Sequence, residues 1–559
     1  MNKARCLMFL VLVTIPVGRA AFQPPAPVNP TPNATWPMYG GSPGRNMANF
    51  QDRGILGVIN PEKGLPLLWK ADLGTRSYAQ PVVAGGKVYV GTNNDRPRNS
   101  RDQRFVRDDK EFVPLDMGVV MCFDAATGKF LWQSVHDKLL SGMVNDWPKE
   151  GVCSIPTVDG DRVYYVSNRC TVVCLDTNGF ADGNQGFQGE KYKQVTDADV
   201  IWELDMIQEL NVFPHNMATG CPLIVGDRLF VQTSNGVDEG HINIPSPHAP
   251  SFLCLDKRTG KVLWKDNSPG KDIMHGQWAS PSYASDPVPQ VIFPAGDGWL
   301  RGFDPASGRL LWKFDGNPKG TKYELGGTGT KNDFIAAPVV VGDRLFIGVG
   351  QDPEHFTGVG HLWCLDLTRA VKFGAINRDH DVTPINNNFD PAATINNSSA
   401  LAWHYGGDET RKWAPRDFKF GRTMSTVAVV DGIVYAPELT GFVHCLNATT
   451  GEHYWEHDTK GEIWSAPYYV DGKVLVCTEQ GDLFVYRHDK QPRRIDNLDF
   501  AAVNYKAAKA KIQERRREVE ATYLRMKFEF DASIRGTPSV ADGVLYIATE
   551  NTLYAFKKE

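Results

Sequence analysis

Apolar positions in this chain fall in short runs separated by polar turns. Residues 252–266, FLCLDKRTGKVLWKD, show the unit: an apolar run, a turn holding Asp and Gly, and a second run closed by Trp. Such runs are too short for helices and read as β-strands. Aligned on the residue two before the turn Asp, the unit recurs eight times, at Cys122, Cys174, Cys254, Gly302, Cys364, Cys445, Val485 and Ala555, spaced 40–81 residues apart. The closing Trp recurs at Trp132, Trp202, Trp264, Trp312, Trp403 and Trp455, and Phe528 is expected to stand in for it in the seventh unit. The eighth unit reaches Glu559 without one, so its last strand is expected from the segment around Trp69. A linear array would leave that segment without a partner, whereas a ring uses it. The pattern predicts an all-β fold: a single eight-bladed β-propeller of four-stranded antiparallel blades, closed by an N-terminal strand.

The first strand of each unit carries Pro at one fixed place (Pro81, Pro156, Pro222, Pro281, Pro338, Pro467, Pro538), with Val427 the exception. Proline donates no ladder hydrogen bond, which makes this the edge strand lining the axis. Two residues earlier stand Ala79, Ser154, Gly220, Ala279, Ala336, Ser425, Ser465 and Gly536, all small, as convergence on an axis requires. One residue further back are Tyr78, Cys153, Thr219, Trp278, Ile335, Met424, Trp464 and Arg535. Packing between blades is the favoured reading of these. The functional alternative makes Tyr78, Trp278, Trp464 and Arg535 an aromatic and cationic lining for a planar cofactor.

The turn residues Asp124, Asp256 and Asp304 recur in one context and are read as structural, bonding turn amides. Chemistry is therefore sought in the loops that do not repeat. Long connections after second strands and between units share one face, taken as the working face. Two of its loops combine carboxylates with imidazole: Asp238, Glu239 and His241 in one, Asp352, Glu354 and His355 in the other, with His215 and His275 in neighbouring loops. Neutral imidazole beside carboxylate suits a divalent metal or acid–base work, while solvated loop residues are the competing reading. Units three and five are not adjacent, so convergence is expected over the axis. On the opposite face, residues 176–190 offer Asp176, Asn178, Asp182 and Asn184, a candidate Ca²⁺ loop; Phe180 breaks the EF-hand spacing and a solvated turn competes. Residues 368–400 read as an irregular Asn-rich loop. Residues 500–526 read as a helix of about seven turns, with Tyr505, Ile512, Val519, Tyr523 and Met526 along one side and Arg515 to Arg517 outward.

Composition narrows the setting. Lys3 and Arg5 precede an apolar run over 6–17, with Gly18 and Ala20 at cleavage-compatible positions, so residues 1–20 are expected to be a cleavable signal peptide. Residues 21–65 are then a leader or brace, and 66–559 the propeller with its helical insertion at about 500–526. Losing Lys3, Arg5 and Arg19 moves the formal net charge from -5 to -8, which excludes a strongly basic nucleic-acid surface. Five of the ten cysteines share one repeat position with Gly302 and Ala555 and read as small buried hydrophobes. One pair among Cys153, Cys170, Cys221 and Cys477 has the freedom to bridge.

The unit, with its Gly536-Thr537-Pro538 first strand and its C-L-D-x-x-T-G-K-x-x-W ending, resembles the pyrroloquinoline quinone (PQQ) repeat over residues 67–557. The leader WPMYGGSPGRNM is similar to the opening of exported members of that family. The resemblance implies two functional branches. Quinoprotein dehydrogenases hold PQQ against a disulfide of adjacent cysteines and a Ca²⁺; this chain has no Cys-Cys pair and no C-x-x-C-H haem site. The non-catalytic branch includes BamB, a lipoprotein scaffold, whose lipid-bearing Cys has no counterpart here. The expectation is an exported, monomeric binding scaffold of the periplasm or cell envelope, with an unidentified protein or small-molecule partner on the loop face. A PQQ-dependent dehydrogenase of alcohols or sugars, with or without Ca²⁺, is the alternative.

Overall fold

A computed structural model describes residues 35–55, 65–108, 111–324, 329–351, 353–355, 358–384, 398–407, 418–495 and 505–557. The expected signal peptide lies outside them. Among the described residues no helix is long and apolar enough to cross a membrane.

Eight antiparallel four-stranded blades form the ring, and each runs in sequence order from an inner three-residue strand to an outer one. The eighth is completed by Leu67–Asp72, which pairs antiparallel with Thr552–Lys557 and sets Trp69 opposite Ala555. The same register recurs: Cys122 faces Trp132, Cys174 Trp202, Cys254 Trp264, Gly302 Trp312, Cys364 Trp403 and Cys445 Trp455. A small residue is needed there because the indole lies across it; a Cβ on Gly302 would sit 2.4 Å from Trp312. In the seventh blade Met526, not Phe528, occupies the Trp place opposite Val485, and Phe528 faces Leu483. All nine described cysteines are free.

Five of the seven outer Trp side chains also reach the next blade. The indole N–H groups of Trp69, Trp132, Trp202, Trp264 and Trp403 donate at 2.9–3.0 Å to turn carbonyls of Ala125, Thr177, Lys257, Pro305 and Ala448. The ring lies on the turn glycine; at Gly308 (φ 71°) a Cβ would approach Trp264 to 2.7 Å. The carboxylates of the turn do what repetition implied: Asp304 Oδ1 accepts from Ala306 N and Ser307 N at 2.8 and 3.0 Å.

The insertions differ from expectation where they meet this pattern. Residues 368–400 are not irregular throughout: Leu367–Gly374 is a helix capped by Asp366, and Gly374 packs on Leu311 and Trp312. The long insertion is an 18-residue helix, Tyr505–Thr522, about five turns, followed by the strand Leu524–Glu529 that holds Met526. Val519 and Tyr523 are buried against the sixth blade, where Tyr523 stacks on Trp455 at 5.0 Å. Arg515 turns inward, donating to Ile495 O at 3.2 Å.

The leader closes one end of the axis. The inner strands leave a ring of unpaired backbone groups, and residues 36–49 bond to them one blade after another. Val83 exchanges two bonds with Trp36, and Val158, Tyr283, Val340 and Tyr469 donate to the carbonyls of Pro37, Pro43, Gly44 and Met47. Asn46 and Asn49 side chains reach Val429 and Val540. Arg45 serves the remaining blade, donating to Cys221 O and Pro222 O at 3.1 and 3.0 Å and to Pro281 O and Tyr39 O at 2.9 Å. Burial lowers its pKa to about 10, so it remains a cation at neutral pH.

Two outcomes follow from this packing. Gly342 (φ 60°) has open space where a Cβ would go. Gly342→Ala should therefore cost only the left-handed backbone penalty, about 1 kcal/mol, and Gly308→Ala that penalty plus the clash with Trp264, about 2–4 kcal/mol. Denaturant midpoints compare the two. His136 is buried, 2.7 Å from the Tyr165 hydroxyl, and burial and then Arg169 lower its pKa to about 4. The unfolded imidazole takes up a proton below about pH 6.5 while the folded one resists, so stability falls as pH drops from about 6.5 to 4. His136→Gln should lose less stability across that window than the parent, read as the shift in thermal midpoint.

Candidate ligand site at the mouth of the axial channel

The inner strands run from the working face toward the leader, so the channel is stoppered at one end and lined by its rim at the other. A cavity of about 390 Å³ occupies the axis. All eight rim positions, Tyr78, Cys153, Thr219, Trp278, Ile335, Met424, Trp464 and Arg535, line it, and Tyr39 of the leader lies in its wall. The ring favoured as packing is thus also a cavity wall. Its members pack on one another where the seventh, eighth and first blades meet: Tyr78 and Trp464 lie 5.7 Å apart, with the Arg535 guanidinium 5.5 Å from the Tyr78 ring.

One side of the mouth is ionic. Arg535 pairs with Glu479 and, at 3.4 Å, with Glu550. The Trp464 indole N–H donates to Glu479 at 2.6 Å. Burial and the neighbouring Glu479 raise the pKa of Glu462, whereas Arg535 holds that of Glu479 down against burial. Glu150, beside the rim, pairs with Arg76 at 2.6 Å. Burial, then Glu150 and Asp146, push the Cys153 thiol well above its ordinary range, which keeps it a poor nucleophile.

The opposite side is imidazole. His215 enters from the link between the second and third blades, His241 from a loop of the third, and His275 from the link between the third and fourth. Their ring centres are 4.4–4.7 Å apart. His215 and His275 are buried, His241 half-buried. The loops interlock tightly enough that a Cβ on Gly236 would lie 2.6 Å from His215 and 2.7 Å from the His275 carbonyl. The His215 Nδ1–H donates to Val237 O at 2.9 Å, and Val237 N to His275 O at 3.0 Å. Trp278 ties the cluster to the rim, its indole N–H donating to His215 O at 3.0 Å. From the fifth blade come Glu354, 3.7 Å from His275 Nε2, and His355, its ring 4.9 Å from His275. Tyr323 hydroxyl lies 3.1 Å from His355 Nε2.

The structure brings His241, Glu354 and His355 together, and it does so through His275 beside the rim residue Trp278 rather than by a reach across the axis. Asp238 instead closes its own loop, accepting from Ile242 N, Asn243 N and Asn243 Nδ2 at 2.7–3.2 Å, which lowers its pKa. Glu239 is exposed, and Asp352 lies outside the described residues. In the loop 176–190 the side chains serve the fold: Asp176 pairs with Arg162 at 2.6 Å and caps Asn178 N, Asn178 bonds Asp182, and Asn184 bonds Glu190. Sequence reading missed a second imidazole group, inside the sixth blade. His444 sits 2.5 Å from Glu438 and 3.4 Å from His453. His444 and His453 lie in strands Phe442–Asn447 and His453–Asp458, where alternation alone marks them as core.

No curated protein matches the sequence. Among solved structures, BamB from Moraxella catarrhalis is 13% identical with a TM-score of 0.49, covering 88% of this chain and 99% of its own. A europium-containing methanol dehydrogenase is 11% identical with a TM-score of 0.42, covering 94% of this chain and 98% of its own. A quinohemoprotein alcohol dehydrogenase from Comamonas testosteroni is 12% identical with a TM-score of 0.43, covering 94% and 81%. The family model described as outer membrane protein assembly factor BamB matches residues 116–370 and 392–499, well over half of the sequence. This chain belongs to that BamB family of PQQ-repeat propellers.

Proposed function

We propose that this chain is an exported binding scaffold that receives a protein segment or small molecule at the loop-face mouth of its axial cavity, in the periplasm or cell envelope. The observation that carries the reading is a channel stoppered by the leader at one end and walled at the other by eight side chains of seven kinds at one repeated position. Such a wall offers aromatic and apolar surface with a few convergent polar groups, which is what a recognition pocket needs. Family membership supports the same reading, since the model's description is of an assembly factor. The acidic charge of the chain speaks against a nucleic-acid partner.

The quinoprotein alternative meets the wrong donor set. PQQ is a planar quinone bearing carboxylates. Among the described residues lining the cavity, Arg535 is the single arginine, and Glu479 and Glu550 already neutralise it. Glu150 and Glu354, also in the wall, would repel a polyanion. Cys153 and Cys221 line the cavity as free thiols, not as a disulfide of adjacent residues. The residues present do not fit the cofactor.

Purified protein incubated with PQQ and Ca²⁺ and then desalted should retain no stoichiometric quinone absorbance and reduce no dye with alcohols or sugars. A bound chromophore at about one equivalent with substrate-dependent dye reduction would overturn the scaffold reading in favour of a dehydrogenase.

A further inference from the structure

We infer that His215, His241 and His275 form a binding site for a divalent d-block cation of the zinc class, with Glu354 facing its fourth coordination position. One ligating atom from each imidazole lies within 4.8 Å of the others. In a tetrahedral zinc site, bonds of about 2.0–2.1 Å place ligand nitrogens about 3.3–3.4 Å apart. Closing from the observed spacing asks for side-chain adjustments of about an ångström, within the reach of a half-buried His241. Three imidazoles select zinc, copper, nickel or iron over the oxygen-seeking Ca²⁺ and Mg²⁺.

Three independent features prepare the group for a cation. First, the Nδ1–H of His215 is spent on the Val237 carbonyl, which fixes the tautomer that presents Nε2 as the ligating nitrogen. A backbone carbonyl on the far nitrogen is the usual outer partner of a metal-bound imidazole. Second, three loops from different blades are locked together by backbone bonds between Val237 and His275 and by the glycine at 236, so the imidazoles are placed before any ligand arrives. Third, His241 holds a left-handed backbone (φ 55°), as do Asn216, which follows His215, and Ser234, whose carbonyl accepts from His215 N (φ 58° and 64°). Residues with a Cβ pay for that conformation, and it persists where surrounding contacts over-determine it. A carboxylate 3.7 Å from His275 Nε2 then offsets part of the charge of an ion. Glu354 and Trp278 both line the axial cavity, so the ion would stand at its wall, with one side available to a donor atom of whatever the cavity receives. The site does not depend on the scaffold reading, since a metal at the mouth is compatible with any occupant.

The test uses the full mature chain without a histidine tag, stripped with chelator, loaded with Zn²⁺ and freed of excess by gel filtration before metal analysis. Titration with Co²⁺, followed by the visible bands of a four-coordinate ion, reports geometry. The expected result is about one retained zinc per chain that disappears in His241→Ala, with affinity weakened at least 10–100-fold, the range seen even for outer-shell partners. His241 is half-buried, so its substitution should leave the thermal midpoint within about two degrees of the parent without zinc, and His275→Ala repeats the test from the buried side. Glu354→Gln should weaken zinc about tenfold; unchanged affinity would remove Glu354 from the site. Retention below about a tenth of an equivalent would overturn the proposal. So would zinc that survives His241→Ala but is lost in His453→Ala, because the ion would then belong to the buried group in the sixth blade.

Discussion

The ring depends on an indole laid over the next blade's turn. A buried aromatic of this size removes about 150–250 Å² from water, an upper estimate of roughly 4–6 kcal/mol on an extended-chain reference. The accompanying N–H to carbonyl bond adds about 1 kcal/mol net, so packing supplies the energy and the hydrogen bond the register. The contact explains why the turn needs glycine there, since a side chain would occupy the place of the ring. It also explains where insertions are found. Trp312 donates within its own blade to Gln290 at 2.7 Å and is covered by the helix Leu367–Gly374, while Trp455 is covered by Tyr523 after the helix Tyr505–Thr522. Where the simple turn is replaced, something else covers the indole. Closure obeys the same rule, because Trp69 from the N-terminal strand docks on Gly128 of the first blade.

A ring of blades creates a second problem at its centre, the unpaired edges of eight inner strands. The leader solves it with one chain: backbone bonds at five blades, asparagine side chains at the sixth and eighth, and the Arg45 guanidinium at the third. A planar cation with several N–H donors suits the last case, where four carbonyls converge and an alkyl side chain would leave each of them desolvated. Satisfying the edges also blocks the channel. The cavity consequently has a floor, and the ligand chemistry is confined to the loop face.

Blade number, closure and the structural role of the turn Asp residues were legible in the sequence because each is set by a repeated local constraint. The bulge that follows the Cys position adds one residue to the outer strand in blade after blade, and in the seventh blade no Trp marks it, so the pattern points to Phe528 where Met526 stands. The helix at 367–374 was hidden by the Asn-rich segment after it. The rim residues were legible as a position, but a position that changes its side chain from blade to blade gives no sign of whether it faces a neighbour or a void. Proximity of His215, His241 and His275 was legible only as membership of one face. Their meeting depends on loop paths fixed by long-range backbone bonds, which leave no periodic mark.

Repetition therefore sorts the residues by what they do. Positions that keep their identity around the ring, the Trp, the turn Gly and the small residue at the axis, hold the fold and treat every blade alike. The rim keeps its position and changes its identity, and the change is not scattered. Guanidinium and carboxylate groups gather where the seventh, eighth and first blades meet, through Arg535, Glu479, Glu550 and the Arg76–Glu150 pair. Imidazoles gather across the cavity at the third to fifth blades. A symmetric ring thus carries an asymmetric mouth, with Tyr78, Trp278 and Trp464 providing apolar faces between the two polar sides. A ligand bound there would be read at two ends and would have one orientation, a property that no stack of identical blades can have by itself.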